Sequence, residues 1–247
     1  MKPIIEVCVE GIDGLLAAEA AGADRVELCA SLLEGGLTPS IGTIKAGLAR
    51  AKIPFYPIIR PRGGDFLYSP DEFAGMLADV ETLRDLGVRG VVFGILTADA
   101  RIDEPRMTQL VAAAGPMDVT CHRAFDMTRD LAEAVEALIR CGVARVLTSG
   151  QRDTAEEGAA NLAEIVRLAA GRLKVMACGA LAPGNIAHIR DATGAPELHF
   201  AALAQQASSM RWHNPHVGMG GTDRAREYTL TVTDAPLVAA TIAAAGR

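Results

Sequence analysis

Aromatic side chains are scarce, at 4% of 247 residues with a single tryptophan. The apolar half of the chain is therefore mostly Ala, Val, Leu and Ile, which suits helices packed on a buried parallel sheet. An excess of positive charge is also missing. The net charge is -6, a poor match for a nucleic-acid backbone. No apolar run approaches the roughly 18 residues of a membrane helix, so no membrane partner is expected. The amino-terminal apolar stretch is broken by Glu6 and Glu10, which argues against a signal peptide and for a cytoplasmic, reducing location. The five cysteines show no Cys-x-x-Cys spacing and read as thiols. Nothing after the first strand-like segment resembles Gly-x-Gly-x-x-Gly, so no nucleotide cofactor is indicated.

What is present is a recurring handover from helix to strand. Ala21-Gly22-Ala23 leads into Arg25-Val26-Glu27-Leu28, and Leu86-Gly87-Val88 into Gly90-Val91-Val92-Phe93. Cys141-Gly142-Val143 and Ala170-Gly171-Arg172 do the same before Arg145-Val146-Leu147-Thr148 and Lys174-Val175-Met176. Glycine suits the left-handed residue that ends a helix, and β-branched residues suit a strand. With the less marked cases, eight strands are predicted, near residues 4–9, 25–29, 54–60, 90–95, 117–122, 144–148, 173–178 and 197–201. Helix starts are signalled at Ser69-Pro70-Asp71-Glu72 and at Thr154-x-x-Glu157. No linker divides the chain. The expectation is an α/β fold, one (β/α)8 TIM-like barrel over residues 1–247.

Alternation along each strand sets which side chains face the barrel axis. Glu6 and Cys8 point inward from the first strand, Glu27 and Cys29 from the second, and Arg60 from the third. Thr120 and His122 do so from the fifth, Met176 and Cys178 from the seventh, Glu197 and His199 from the eighth. The fourth and sixth strands are apolar on both parities and stay unassigned. Cys121 should face the helices, and Cys141 lies on one.

Inward Glu27, Arg60 and His122 at strand carboxyl ends are costly as packing alone. Either they form a structural network, such as Glu27 with Arg60, or they line a polar pocket for a small ligand. Arg60-Pro61-Arg62-Gly63-Gly64-Asp65 sets two guanidinium groups beside a Gly-Gly turn whose amides can face an anion. His122-Arg123-Ala124-Phe125-Asp126 brings a third arginine, and an acid that could fix the imidazole tautomer or cap the next helix. The catalytic candidates are Glu27, His122 and Asp126; the anion-binding candidates are Arg60, Arg62 and Arg123. No lysine stands at a strand's carboxyl end, which disfavours a Schiff base. Thiols compete with this reading: Cys178, His199, Cys8 and Cys29 fall on contiguous strands, a set that suits Cu(I) or Zn(II). A divalent ion on Glu6, Glu27, His122 and His199 is also conceivable.

The stretches Glu6-Val7-Cys8-Val9-Glu10, Gly22-Ala23-Asp24-Arg25-Val26-Glu27-Leu28-Cys29 and Glu34-Gly35-Gly36-Leu37-Thr38-Pro39-Ser40 resemble the copper homeostasis CutC family. So do Ile59-Arg60-Pro61-Arg62-Gly63-Gly64-Asp65-Phe66, His122-Arg123-Ala124-Phe125-Asp126 and Arg145-Val146-Leu147-Thr148-Ser149-Gly150, and the likeness runs to about Met219-Gly220. It implies a TIM-like barrel, a cytoplasmic location and a role in copper handling, with Cys8 and Cys29 (metal) as Cu(I) ligands. One departure is Ala180 after the seventh strand, where the family tends to have Gly. A chaperone has no obvious use for Glu27, Arg60, Arg62, His122 and Asp126 together. The alternative is therefore a lyase, isomerase or hydrolase acting on a small anionic oxygenated metabolite; a catalytically inert scaffold is a third reading. The expected partner is a copper ion or such an anion. Residues 202–232 read as a long loop folding over the pocket mouth. The Ala-rich closing helix from Asp234 could pack on the barrel or on a second subunit, as a homo-oligomer.

Overall fold

A computed structural model describes residues 2–219 and 224–246. Eight parallel strands alternate with helices. The strands are β1 (Ile4–Glu10), β2 (Arg25–Cys29), β3 (Phe55–Pro57), β4 (Gly90–Phe93), β5 (Asp118–Cys121), β6 (Arg145–Thr148), β7 (Lys174–Ala177) and β8 (Glu197–Phe200). Between them run α1 (Gly11–Ala20), α2 (Ile41–Arg50), α3 (Pro70–Asp85), α4 (Glu104–Ala114), α5 (Leu131–Arg140), α6 (Ala159–Ala169) and α7 (Ile186–Thr193). The order β3-β2-β1-β8-β7-β6-β5-β4 is that of a ring. It closes between its ends through the parallel bridge Ile58–Val92 and the bond from Ile59 N to Val92 O, 2.7 Å. The seam is thin because Pro57 has no N–H to add to the ladder. The expected strand over 54–60 is thereby shortened to three residues.

Local signals act as their chemistry requires. Ser69 accepts from Glu72 N while the Glu72 carboxylate accepts from Ser69 N, with Pro70 in the first turn of α3. Thr154 accepts from Glu157 N in the same way, but α6 begins only at Ala159. The intervening chain folds back so that Gly158 lies against Ser149 O, a contact no side chain would leave room for.

Alternation holds around the ring. Ile5, Val7, Val9, Val26, Leu28, Val91, Val119, Cys121 and Val146 join the layer between sheet and helices. Cys8, Cys29, Tyr56, Ile58 and Val92 pack inside, as do Leu147, Met176 and Cys178. The fourth and sixth strands are thus assigned: Val92 and Leu147 face the axis. Cys141 caps the end of α5.

Gly90 shows how tightly the interior is filled. A Cβ there would lie 2.5–2.7 Å from three atoms of the Tyr56 ring. That ring cannot swing aside. Its hydroxyl donates to Asp118 Oδ2 at 2.9 Å, and the guanidinium groups of Arg25 and Arg145 lie 5.1 and 5.8 Å from its centroid. Gly90→Ala is expected to destabilise by about 1–3 kcal/mol through overpacking. A urea midpoint unchanged from the parent would contradict this.

The segment after β8 differs from expectation. Instead of a loop over the mouth, β9 (Leu203–Ala207) and β10 (Thr229–Thr233) pair antiparallel, and the chain then enters α8 (Ala235–Ala244). Thr233 Oγ1 lies 2.8 Å from where a Cβ on Gly14 of α1 would sit, so the ribbon stands beside α1. Among the described residues, none of 203–232 lines the barrel mouth; positions 220–223 lie outside the description. Asp234 caps α8 by accepting from Leu237 N, and α8 packs against α1 and α7. No described helix is long and apolar enough to cross a membrane.

Candidate functional site

The barrel axis carries charge at two levels. At the floor, Arg25 binds Glu6 through Nε and Glu197 through Nη2, the latter at 2.5 Å. Glu197 also accepts from Arg145 Nε at 2.6 Å, and Arg145 Nη1 donates to Thr120 at 3.2 Å. All four ionic groups are at most 6% exposed. Buried ions persist only when paired and hydrogen-bonded, and this cluster meets that condition.

Above the floor stand Glu27, His199, Cys8 and Cys29. His199 Nδ1 lies 2.9 Å from the second oxygen of Glu6, and its Nε2 3.6 Å from Glu27. Burial alone would lower the imidazole pKa. Hydrogen bonds with Cys8 and Glu6 and the charge of Glu27 outweigh it and raise the value to about 10. Burial pushes Glu6 up, but Arg25 and His199 pull it further down, to about 2. Glu27 is raised, chiefly by burial, and its Oε1 has no partner. With His199 protonated, Glu6, Glu27 and Glu197 balance Arg25, Arg145 and His199. The alternative of a structural pair between Glu27 and Arg60 is not what forms; the ionic partner of Glu27 is His199.

The thiols of Cys8 and Cys29 lie 3.7 Å apart, and with a Glu27 carboxylate oxygen they all lie within 4.8 Å of one another, all three residues buried. Cys8 is raised well above an ordinary thiol by its hydrogen bond with Cys29 and by burial. For Cys29 the bond with Cys8 acts downward, yet burial and Glu27 prevail and bring it to about 11. Cys178 is raised by burial and by Asp126.

These groups open into a cavity of about 610 Å³ at the carboxyl ends of the strands, where barrel loops assemble ligand sites. Cys8, Glu27, Arg60, His122, Arg123, Asp126, Cys178 and His199 all border it. Arg60 is 7% exposed and has no carboxylate within 4 Å among the described residues. Its Nη1 and Nη2 donate to the carbonyls of Glu34, Gly36 and Gly64, its face lies over Phe66, and its Nε is unpartnered. His122 Nδ1 accepts from Ala124 N at 3.1 Å, which assigns the ring proton to Nε2. That N–H has no partner. Burial, and then the charge of Arg60, lower His122 to about 3. It is therefore a neutral hydrogen-bond donor at pH 7.

Two other candidates are engaged elsewhere. Arg62 lies outside the cavity lining, tied to Glu72 at 2.6 Å and to Asp65 at 3.1 Å. The Gly63 and Gly64 carbonyls, not their amides, meet the arginines. Asp126 neither touches His122 nor caps a helix. It accepts from Thr148 Oγ1, Ser149 N and Gln151 N and pairs with Arg123 at 2.8 Å, pinning the loop after β6. Arg123 also donates to Ser149 Oγ at 2.7 Å. The four residues Glu6, Glu27, His122 and His199, conceivable as a divalent site, are split, because His122 sits with Arg60 and Phe66. Sequence reasoning missed Arg25, whose inward parity with Glu27 could have shown it, and Arg145, which stands on a strand apolar on both parities. It also missed Glu34 and Phe66 on the rim, which no periodicity marks.

Fold and cavity together define a (β/α)8 barrel with a polar, thiol-bearing bowl at its carboxyl-terminal mouth. The CutC family model matches residues 3–204, and the chain belongs to the CutC family. A family protein CutC from Mesorhizobium japonicum is 67% identical over 98% of this chain and 94% of its own length. One from Chromobacterium violaceum is 49% identical over 97% of both. The solved structure described as a copper homeostasis protein CutC from Streptococcus agalactiae superposes with a TM-score of 0.76 at 31% identity, covering 80% of this chain and 98% of that one.

Proposed function

We propose that the protein serves copper homeostasis in the cytoplasm by binding Cu(I) as cargo through Cys8 and Cys29. The observation that carries this reading is the 3.7 Å separation of two buried thiols, of which Cys8 borders the bowl and Cys29 lies behind it, with Glu27 beside them. Soft thiolates select Cu(I). Taking the zinc–thiolate bond of about 2.3 Å as a guide, two sulfurs on one ion can stand no more than about 4.6 Å apart, so this pair can share an ion without moving its strands. Both thiols are protonated at neutral pH, so uptake releases their protons. Anaerobic titration of the full chain against a Cu(I) chromophoric chelator tests the assignment. The Cys8→Ser, Cys29→Ser variant is expected to lose at least about tenfold in affinity, and Cys141→Ser to keep it. A folded double variant that still competes as well as the parent sinks the assignment.

A second reading is favoured by Arg60. It is a buried cation bordering the bowl, with no carboxylate within 4 Å among the described residues. In this reading the bowl is an enzyme site for a small anionic oxygenated metabolite. Arg60 attracts the anion, the neutral His122 N–H polarises an oxygen, and Glu27, its pKa raised, takes and returns a proton.

A further inference from the structure

The bowl has a second side that the thiols and Arg60 do not use. Opposite β3 and β5, the loops after β7 and β8 contribute Gly179, Ala180, Leu181 and Ala201 to the lining. Their backbone N–H groups donate to nothing among the described residues, although the neighbouring Cys178 and Ala182 amides are both bonded, to Thr148 O and Asn185 Oδ1. Leu181 is buried. A buried backbone donor such as that of Leu181 is otherwise paired or taken by a ligand or ordered water. The loop is also held in place. Gly179 lies at φ 101°, with Ser149 Cβ 2.9 Å from where a side chain would start and Ala155 N bonded to its carbonyl. Ala180 lies at φ 57°, a left-handed conformation that costs free energy in a residue with a Cβ. Asn185 fixes the far side by donating to Ala180 O and accepting from Ala182 N.

Several fixed N–H groups on neighbouring loops can form an anion cradle. In barrels the loops after the seventh and eighth strands frequently hold a phosphate. Across the bowl, Arg60 Nε and His122 Nε2 are two further donors with no partner, on side chains more than nine-tenths buried. A ligand of about phosphosugar size fits the cavity, whose volume lies within the ordinary range for small-molecule sites.

We propose that the amides of Gly179, Ala180, Leu181 and Ala201 form a phosphate subsite, and that the bowl takes a small phosphorylated metabolite. Its phosphate sits at β7 and β8 and its oxygenated end points toward Arg60, His122 and Glu27. This inference rests on the second functional reading, the anion-binding bowl, and names its substrate class.

Amide-resolved NMR of the deuterated full chain tests it, with inorganic phosphate, ribose 5-phosphate and acetate as separate probes. Phosphate is expected to shift the amides of residues 179–181 and 201 saturably. Ribose 5-phosphate should shift the same amides and also the His122 Nε2–H, which separates an organic phosphate from the free ion. Ala180→Asp places a carboxylate on the rim and should weaken both by at least about tenfold. Ala180→Asn has the same shape and tolerates the left-handed backbone, so it should bind as the parent does. Phosphate shifts elsewhere, or an Ala180→Asp variant that binds unchanged, overturns the subsite. Acetate moving the four amides as tightly as phosphate overturns the phosphate class and leaves the anion reading standing, as does a probe that moves only Arg60 and His122. Silence of every cavity group to all three probes removes the subsite and the anion reading together.

Discussion

Arg25→Met is expected to lower the unfolding free energy by about 3–5 kcal/mol, the range for removing one partner of a buried ion pair. Arg25 is the cation between two buried carboxylates. It holds Glu6 through Nε and Glu197 through Nη2, donates to Met176 Sδ at 3.4 Å, and covers one face of Tyr56. Methionine fills most of the volume, so the loss is electrostatic and not a cavity effect. Glu6 keeps His199 and Glu197 keeps Arg145, but three buried anions then face two cations. Chemical denaturation should show a lower midpoint at an unchanged slope. Adding Glu6→Gln removes the surplus charge, so the Arg25→Met, Glu6→Gln pair should be more stable than Arg25→Met alone. Equal stability of the single and double variants would falsify the charge-balance account, because a packing defect is not repaired by neutralising a carboxylate.

That floor shows where sequence reading reaches and where it stops. A strand has period two, so any strand with one clearly apolar face declares its other face as well. This made Glu6, Cys8, Glu27, Cys29, Met176, Cys178, Glu197 and His199 legible as inward residues. The same rule, carried one step back from Glu27, would also put Arg25 inward, but a lone arginine at a strand's first residue looks like an exposed end. Arg145 was hidden differently. Val146 and Leu147 are both apolar, so β6 offers no contrast from which to read a face.

Pairing is a harder matter than facing. Alternation brings Glu27, Arg60 and His199 into one bowl, but it cannot say that Glu27 meets His199 while Arg60 is held by the carbonyls of Glu34, Gly36 and Gly64. Those contacts depend on loops, where no periodicity constrains the chain. Arg62 and Asp126 illustrate the consequence. Each lies one or a few residues beyond a strand end, and a turn of the loop sends Arg62 outward to Glu72 and Asp126 sideways to the β6 loop. The ribbon of β9 and β10 was missed for a related reason: its strands are half polar and stand outside the barrel's βα rhythm.

Two buried histidines make stability depend on pH in opposite directions, with an expected maximum near pH 6.5. His122 is 4% exposed and its pKa falls from 6.5 to about 3 in the folded chain, because burial and Arg60 disfavour the cation. Below pH 6.5 the unfolded chain takes up a proton that the folded chain refuses, so stability falls as pH drops toward 3. His199 rises from 6.5 to about 10 among Cys8, Glu6 and Glu27. Its contribution is complete below pH 6.5 and is lost as pH climbs through 10. Each limb is worth a few kcal/mol, on the order of 4 for shifts of this size. Glu6, lowered to about 2, adds to the acid loss only below pH 4.5, and Cys29, raised to about 11, adds to the alkaline loss only above pH 9. Glu27, raised by burial, adds to the loss of stability as pH climbs above 4.5, so the two histidines act on either side of neutrality with Glu27 reinforcing the alkaline direction. His122→Gln should flatten the acid side and leave the alkaline side unchanged. His199→Gln should lower stability at every pH, because Glu6 and Glu27 lose their shared cation, and should remove the decline between pH 7 and 9. Urea midpoints measured across this range check both limbs independently. A His122→Gln curve that keeps the parent's acid slope would place the titrating group elsewhere, and with it the claim that His122 enters the bowl as a neutral donor.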